Sequence, residues 1–275
     1  MYNKLLLSLA LFSAMGITGC QKDDVDPPPP VDNPPALQFL VKSMEFDIGT
    51  VAHVRYNPDS TIHDIFYNNQ SAAGQLDFTW SGKQALALSY DGSLYRDTFV
   101  YVNGRLTSLT NGWKRGTSPT SYKLDYAYNS NGSLAELNYY QTNEAGTKLI
   151  YSTTYAYHSN GDLASITSTQ KSNQYKIKLT IDSWSADCEI NPWLFIGPGP
   201  NEWYTLYNYP LLSTFKKLPG KITKTVQQAG QAAETEQITV NTYTITNKRL
   251  DKTATALSYP KHPNLDQSHS VIYKY

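Results

Sequence analysis

Along most of the chain, large apolar residues alternate with polar ones at a period of two. In Tyr122-Lys123-Leu124-Asp125-Tyr126-Ala127-Tyr128 the tyrosines and Leu124 share one face, and Lys123, Asp125 and Ala127 share the other. Tyr151, Thr153, Tyr155 and Tyr157 repeat that arrangement. Successive side chains of an extended chain point to opposite sides, so the pattern predicts strands of a sheet with one packed face. Between the runs stand Asn103-Gly104, Asn131-Gly132 and Asn160-Gly161. Such dipeptides supply the positive φ that tight hairpin turns require. Further strands are expected at 175–181, 221–227, 236–245 and 271–275. No amphipathic helix longer than two turns is predicted.

The N-terminus has a different pattern. Lys4 precedes an apolar run from Leu5 to Met15, broken only by Ser8 and Ser13, and small residues then lead into Cys20. A basic flank, a short apolar core and small residues before a cut describe a secretory signal, too short to span a bilayer. Ile17-Thr18-Gly19-Cys20 resembles the bacterial lipobox, which implies cleavage before Cys20 and lipid on its thiol. Residues 21–36, QKDDVDPPPPVDNPPA, have no means of packing a core. Pro27 to Pro30 favour extended polyproline II, a semi-rigid spacer of ~3.1 Å per residue. Cys20-Gln21-Lys22-Asp23-Asp24 is similar to the acidic export signal of Bacteroidetes surface lipoproteins. The expected organisation is a signal peptide (1–19), a lipidated tether (20–36) and a single repetitive β domain (37–275).

Within that domain the hairpin recurs. Residues 126–137 read YAYNSNGSLAEL and residues 155–166 read YAYHSNGDLASI. A shorter-turn copy lies at 99–106, and weaker copies lie at 55–62 and 88–94. Each unit is strand, turn, strand, and consecutive units extend a meander. The predicted fold is all-β: a large antiparallel meander of hairpins, open or partly closed into a barrel-like sheet, with one long aromatic insertion. The Y-x-Y-x-x-x-G-x-L units resemble the YD repeats of bacterial surface and toxin-shell proteins. The whole combination is similar to a Bacteroidetes outer-membrane lipoprotein family of unknown function, and that resemblance implies a porin-like meandering sheet over residues 40–275. Tyr209-Pro210-Leu211-Leu212 and Leu218-Pro219-Gly220-Lys221-Ile222 fit the same resemblance. The family brings no catalytic residues.

Composition narrows the function. Lysine plus arginine and aspartate plus glutamate each number 23, and loss of Lys4 with the leader leaves the mature chain near −1. No basic field exists to attract nucleic acid. Of two cysteines, Cys20 is expected to carry lipid, so Cys188 has no disulfide partner and is expected to be buried. A membrane-embedded barrel is also an expectation to weigh, because the chain ends in an aromatic strand, 271–275. Lys171, Lys176, Lys178, Lys221 and Lys224 fit poorly on an apolar, lipid-facing wall.

Candidate chemistry is sparse. His53, His63, His158, His262 and His269 show no metal-ligand spacing, and no HExxH, CxxC, GxSxG or P-loop is present. No cofactor is expected. One segment departs from the repeat: residues 184–209 carry Trp184, Trp193, Trp203, Tyr204, Tyr207 and Tyr209 around a Gly-Pro-Gly-Pro break. Read functionally, these six form an aromatic loop on which sugar rings stack. Read structurally, the loop folds over a sheet end as a plug. The leading expectation is a non-enzymatic outer-membrane lipoprotein at the cell surface, a binding or structural module whose partners are the membrane, through Cys20, and a glycan or envelope protein. The alternative is a carbohydrate-active hydrolase using Asp182, Asp187 and Glu189.

Overall fold

The computed structural model describes residues 38–68, 73–90, 95–113, 121–195 and 208–275. The first strands are β1 (Ser43–Phe46), β2 (Val51–Tyr56), β3 (Ile62–Asn68), β4 (Ala73–Ser81), β5 (Gln84–Tyr90) and β6 (Tyr95–Val102). They are followed by β7 (Arg105–Trp113), β8 (Ser121–Tyr128), β9 (Leu134–Asn143), β10 (Gly146–Tyr157), β11 (Leu163–Gln170) and β12 (Lys176–Ile181). After the insertion come β13 (Lys221–Gln227), β14 (Glu234–Thr246), β15 (Arg249–Ser258) and β16 (Gln267–Lys274). Every strand pairs antiparallel with its chain neighbours, and β1 returns to pair with β16, from Ser43↔Lys274 to Phe46↔Val271. The meander is therefore a closed barrel. Closure leaves no edge strand to template aggregation.

The repeat has one local structure. At residues 129–133, the Asn129 N–H donates to the Ser133 carbonyl (2.9 Å), the Gly132 N–H donates to the Asn129 carbonyl (2.9 Å), and the Asn131 side chain accepts the Ser133 N–H (3.0 Å). Residues 158–162 make the same three bonds at 2.8, 3.0 and 3.0 Å. Residues 57–61 make them too, with Asp59 accepting from Thr61. The fourth position takes φ of +85° at Gly132 and +87° at Gly161, where glycine carries no Cβ penalty, but Ser60 occupies it at +68°. After each turn an aliphatic residue enters the core: Ile62, Leu134 and Leu163 are each 1% exposed.

A second repeated tie runs between units. The Tyr128 hydroxyl donates to the Leu106 carbonyl at 2.6 Å, Tyr157 to Leu134 at 2.9 Å, and Tyr275 to Leu250 at 2.8 Å. The Trp80 indole N–H makes the equivalent bond to the Ile62 carbonyl at 2.6 Å. The tie explains why this position carries an aromatic ring with a donor: the ring packs, and the polar tip satisfies a backbone acceptor.

The interior is mainly apolar. Ile65, Leu88, Leu106, Leu137 and Ile166 are at most 1% exposed and belong to one continuous core. The outer wall is polar: Arg55, Lys123, Lys176, Lys178, Thr242, Thr244 and Lys252 face solvent. Among the side chains whose exposure is described, the exposed large apolar ones on strands are Leu86, Val100, Val102, Val240 and Ile272, and no phenylalanine, tyrosine or tryptophan is exposed. A membrane-spanning barrel has the reverse arrangement, with an apolar outer band, aromatic girdles and a polar lumen. No described helix is long and apolar enough to cross a membrane.

Candidate functional site

The insertion between β12 and β13 begins and ends in a stem. Ser185 N–H donates to the Leu218 carbonyl, Gly220 N–H to the Ser183 carbonyl, and Cys188 N–H to the Lys216 carbonyl, each at 2.8 Å. The hydroxyls of Ser185 and Ser183 accept from the backbone N–H groups of Leu218 and Lys221, again at 2.8 Å. Gly220 permits this close approach, since a Cβ there would lie 2.6 Å from Ser183 Oγ. The stem fixes Trp184 opposite Pro219 in an isolated antiparallel bridge.

Beyond the stem the chain turns into the bore. Asn191 caps a single 3-10 turn, Pro192–Leu194, by accepting the Trp193 N–H at 3.2 Å. Asn208 caps the short helix α1 (Tyr209–Leu212) by accepting the Leu211 N–H at 3.1 Å, and its amide donates to the Tyr155 hydroxyl at 3.3 Å. Trp193 stacks on Tyr209 (4.1 Å between centroids) and presents edges to Phe78, Trp80 and Phe99 at 5.5–5.6 Å. Offset and edge-to-face pairs of this kind each add about 0.5–1.5 kcal/mol beyond their burial.

Three of the six aromatic candidates can thus be placed. Trp193 and Tyr209 are each 3% exposed and part of the core, so neither offers a face to a ligand. In that part of the insertion the plug reading describes the structure, because the wide bore of the barrel leaves space that strand side chains do not fill. Trp184 is only half-buried and packs edge-on against Phe215 at 5.2 Å. Its indole N–H is buried and has no acceptor among the described residues. Trp203, Tyr204 and Tyr207 lie outside the described residues, as does Cys20.

The carboxylates named for a hydrolase take separate structural partners. Asp182 accepts the Thr223 hydroxyl at 2.7 Å and pairs with Lys221 at 3.8 Å, while Glu189 accepts the Phe39 N–H at 2.9 Å. Asp187 is exposed. Among the described residues no three His, Cys, Asp or Glu side chains gather where they could hold a metal. Cys188 is buried, and burial pushes its thiol up to about 11 against the opposing hydrogen bond from Ser185.

A cavity sits at the turn-bearing end, beside Trp184. It has a volume of about 360 Å³. Its apolar walls are Tyr157, Leu163, Trp184 and Phe215, and its polar ones come from the two repeat turns and from Lys216 and Lys217. In those turns Asn160 donates to Asp162 at 2.9 Å, and Lys217 Nζ lies 3.9 Å from the same carboxylate. A second cavity of about 170 Å³ lies in the bore between the plug and β14–β16, lined by Phe195, Leu212, Tyr243, His269 and Tyr273 among others. Sequence reasoning found Trp184 but missed the turn residues as walls. Their signal was the repeat itself, because identical turns on adjacent hairpins emerge side by side at the same end of a sheet.

No protein-family model and no curated protein matches the chain. Solved structures do. A porin-like protein from Bacteroides vulgatus shares 14% identity with a TM-score of 0.58, over 86% of this chain and 99% of that one. A porin-like protein from Bacteroides uniformis shares 13% identity with a TM-score of 0.55, over 85% of this chain and 96% of that one. The chain shares their fold. At these identities the likeness establishes the antiparallel barrel and nothing about activity.

Proposed function

We propose that this chain is a lipid-tethered envelope protein, anchored through Cys20 and displaying its barrel in the aqueous phase as a non-enzymatic binding module. One observation carries the reading: the wall is polar outside and the bore is filled with Leu, Ile, Tyr and Trp side chains. Burying the charges of Lys176, Lys178 and Arg55 in hydrocarbon would cost several kcal/mol, so attachment to a membrane has to come from elsewhere. The apolar leader ending in Cys20 and the proline-rich spacer supply it. The packing of Trp193 and Tyr209 inside the bore favours a binding module over an open channel. The absence of a shared cleft for Asp182, Asp187 and Glu189 favours binding over hydrolysis.

Protease shaving of intact cells, with a Cys20→Ala variant beside the wild type, tests the reading. Wild-type protein that is membrane-bound and digested from outside, with Cys20→Ala protein released in soluble form, is the expected result. A wild-type protein that stays protected places the barrel in the periplasm. A variant that stays in the membrane fraction removes the lipid tether from the proposal.

A further inference from the structure

We infer that the 360 Å³ cavity at the turn-bearing end is a saccharide site, formed by the tips of two repeats and the stem of the insertion. The inference rests on reading the barrel as a displayed binding module, and it names the ligand class that module takes. Small-molecule sites are concave, mainly apolar, and carry a few convergent polar groups in about 300–1,000 Å³. This cavity has the volume and the convergent polar groups, with four apolar side chains, Tyr157, Leu163, Trp184 and Phe215, in its wall. Tyr157, Trp184 and Phe215 come from three separate parts of the chain and supply aromatic surface, which suits the C–H faces of a sugar ring.

The polar groups fit hydroxyls. Asn131 uses its side-chain oxygen on the Ser133 N–H (3.0 Å) and hydroxyl (2.8 Å), so its two amide donors meet no acceptor among the described residues. Asp162 supplies acceptor oxygens and Lys217 a donor, and their 3.9 Å separation leaves both with capacity for a further partner. A ligand with alternating donors and acceptors around a ring, stacked on an aromatic wall, satisfies this set. An apolar ligand would strand Asn131, Asp162 and Lys217.

The site is also rigid. Asn131 and Asp162 belong to turns held by three backbone-directed bonds each, and the Tyr157 ring is fixed by its hydroxyl bond to the Leu134 carbonyl. Trp184 is held by the stem. Preorganisation of this kind lowers the ordering cost of binding. The repeat therefore does two things: it builds the barrel, and its tips place amide and carboxylate groups around one pocket.

The test is ligand-observed NMR and calorimetry on the mature chain with glucose, N-acetylglucosamine and glucuronate as probes. Saturable binding of at least one probe is expected, with Kd near 1 mM, equivalent to about −4 kcal/mol. Asn131→Asp keeps the side-chain oxygen that holds the turn and removes the amide donors, Lys217→Ala lies in a half-exposed position, and each should weaken that binding at least tenfold. Trp184→Leu should abolish it. Val100→Thr on the outer wall should leave it unchanged. No saturation by any probe at about ten times that concentration overturns the saccharide assignment. Binding that survives all three pocket variants places the sugar elsewhere and overturns the site. Either failure is independent of the tether, which the release of Cys20→Ala protein reads separately.

Discussion

Tyr157→Phe isolates the tie that joins consecutive repeats. The substitution removes one oxygen and leaves the ring, so no cavity term enters. What is lost is the 2.9 Å bond to the Leu134 carbonyl. A neutral hydrogen bond contributes about 0.5–1.5 kcal/mol net, and an acceptor stranded in a dry interior costs about 1–3 kcal/mol. Tyr157 is half-buried at a cavity wall, so water can reach part of the site and the lower half of that range applies. The expected loss is about 1–1.5 kcal/mol, or a Tm decrease of about 2–6 °C for a domain of this size. Urea unfolding of the mature Cys20→Ala chain is the assay, and the midpoint should fall with no change in slope. Tyr128→Phe breaks the equivalent bond to Leu106 and shares no acceptor with Tyr157, so the double variant should show the sum within about 0.5 kcal/mol. If each single variant loses less than about 0.3 kcal/mol, the hydroxyl ties contribute nothing measurable and packing alone explains the tyrosines.

Three other outcomes follow from the structure. Gly161→Ala meets no atom within 4 Å but sits at φ +87°, so it should cost about 1–2 kcal/mol from backbone strain alone; an unchanged Tm would mean that the turn has relaxed to another type. Asp97 is buried in the bore, accepting from the Tyr90 hydroxyl at 2.6 Å and from the Asn111 amide, and burial raises its carboxyl above the usual range despite those bonds. The folded chain then holds that proton more tightly than the unfolded chain does. Its contribution to stability falls as pH climbs from the unfolded value through the folded one, and the ionised form is a cost at neutral pH. Asp97→Asn should accordingly gain stability over wild type in urea titrations at neutral pH and gain less in acid; an equal effect at both would show that the proton is not involved. Cys188, buried and pushed up to about 11, should resist iodoacetamide in the folded Cys20→Ala chain and label only as unfolding proceeds; prompt labelling of the folded protein would contradict its burial.

Local pattern carried much of the barrel. The Asn-Gly turns and the alternation of Tyr122 to Tyr128 located β8 to β11 and their inward face, with Tyr126 and Tyr155 buried and Lys123 and Thr154 exposed. Strand β15 escaped because its turn, Asn247-Lys248, reaches positive φ at both residues without a glycine to announce it. Closure was open at the level of sequence because the β1–β16 pairing depends on strand number and stagger around the whole sheet, which no single hairpin encodes. The insertion was legible as a departure from the repeat, but the fate of its aromatics was not. Trp193 and Trp184 look alike in sequence, and only contacts with residues as distant as Phe78 and Phe99 make one a core residue. Asn131 and Asn160 read as turn formers, which they are, and the place of Asn131 and of Asp162 on a cavity wall arises from the register of neighbouring hairpins.

The most direct test of a tethered, non-spanning barrel is the behaviour of the mature Cys20→Ala chain in buffer without detergent. A polar wall around a filled apolar core predicts a soluble species with a near-ultraviolet circular dichroism signal from its packed aromatics and a cooperative melt that added detergent does not raise. Aggregation relieved only by detergent or lipid, with the melt appearing only in their presence, would mean that the wall belongs in a membrane.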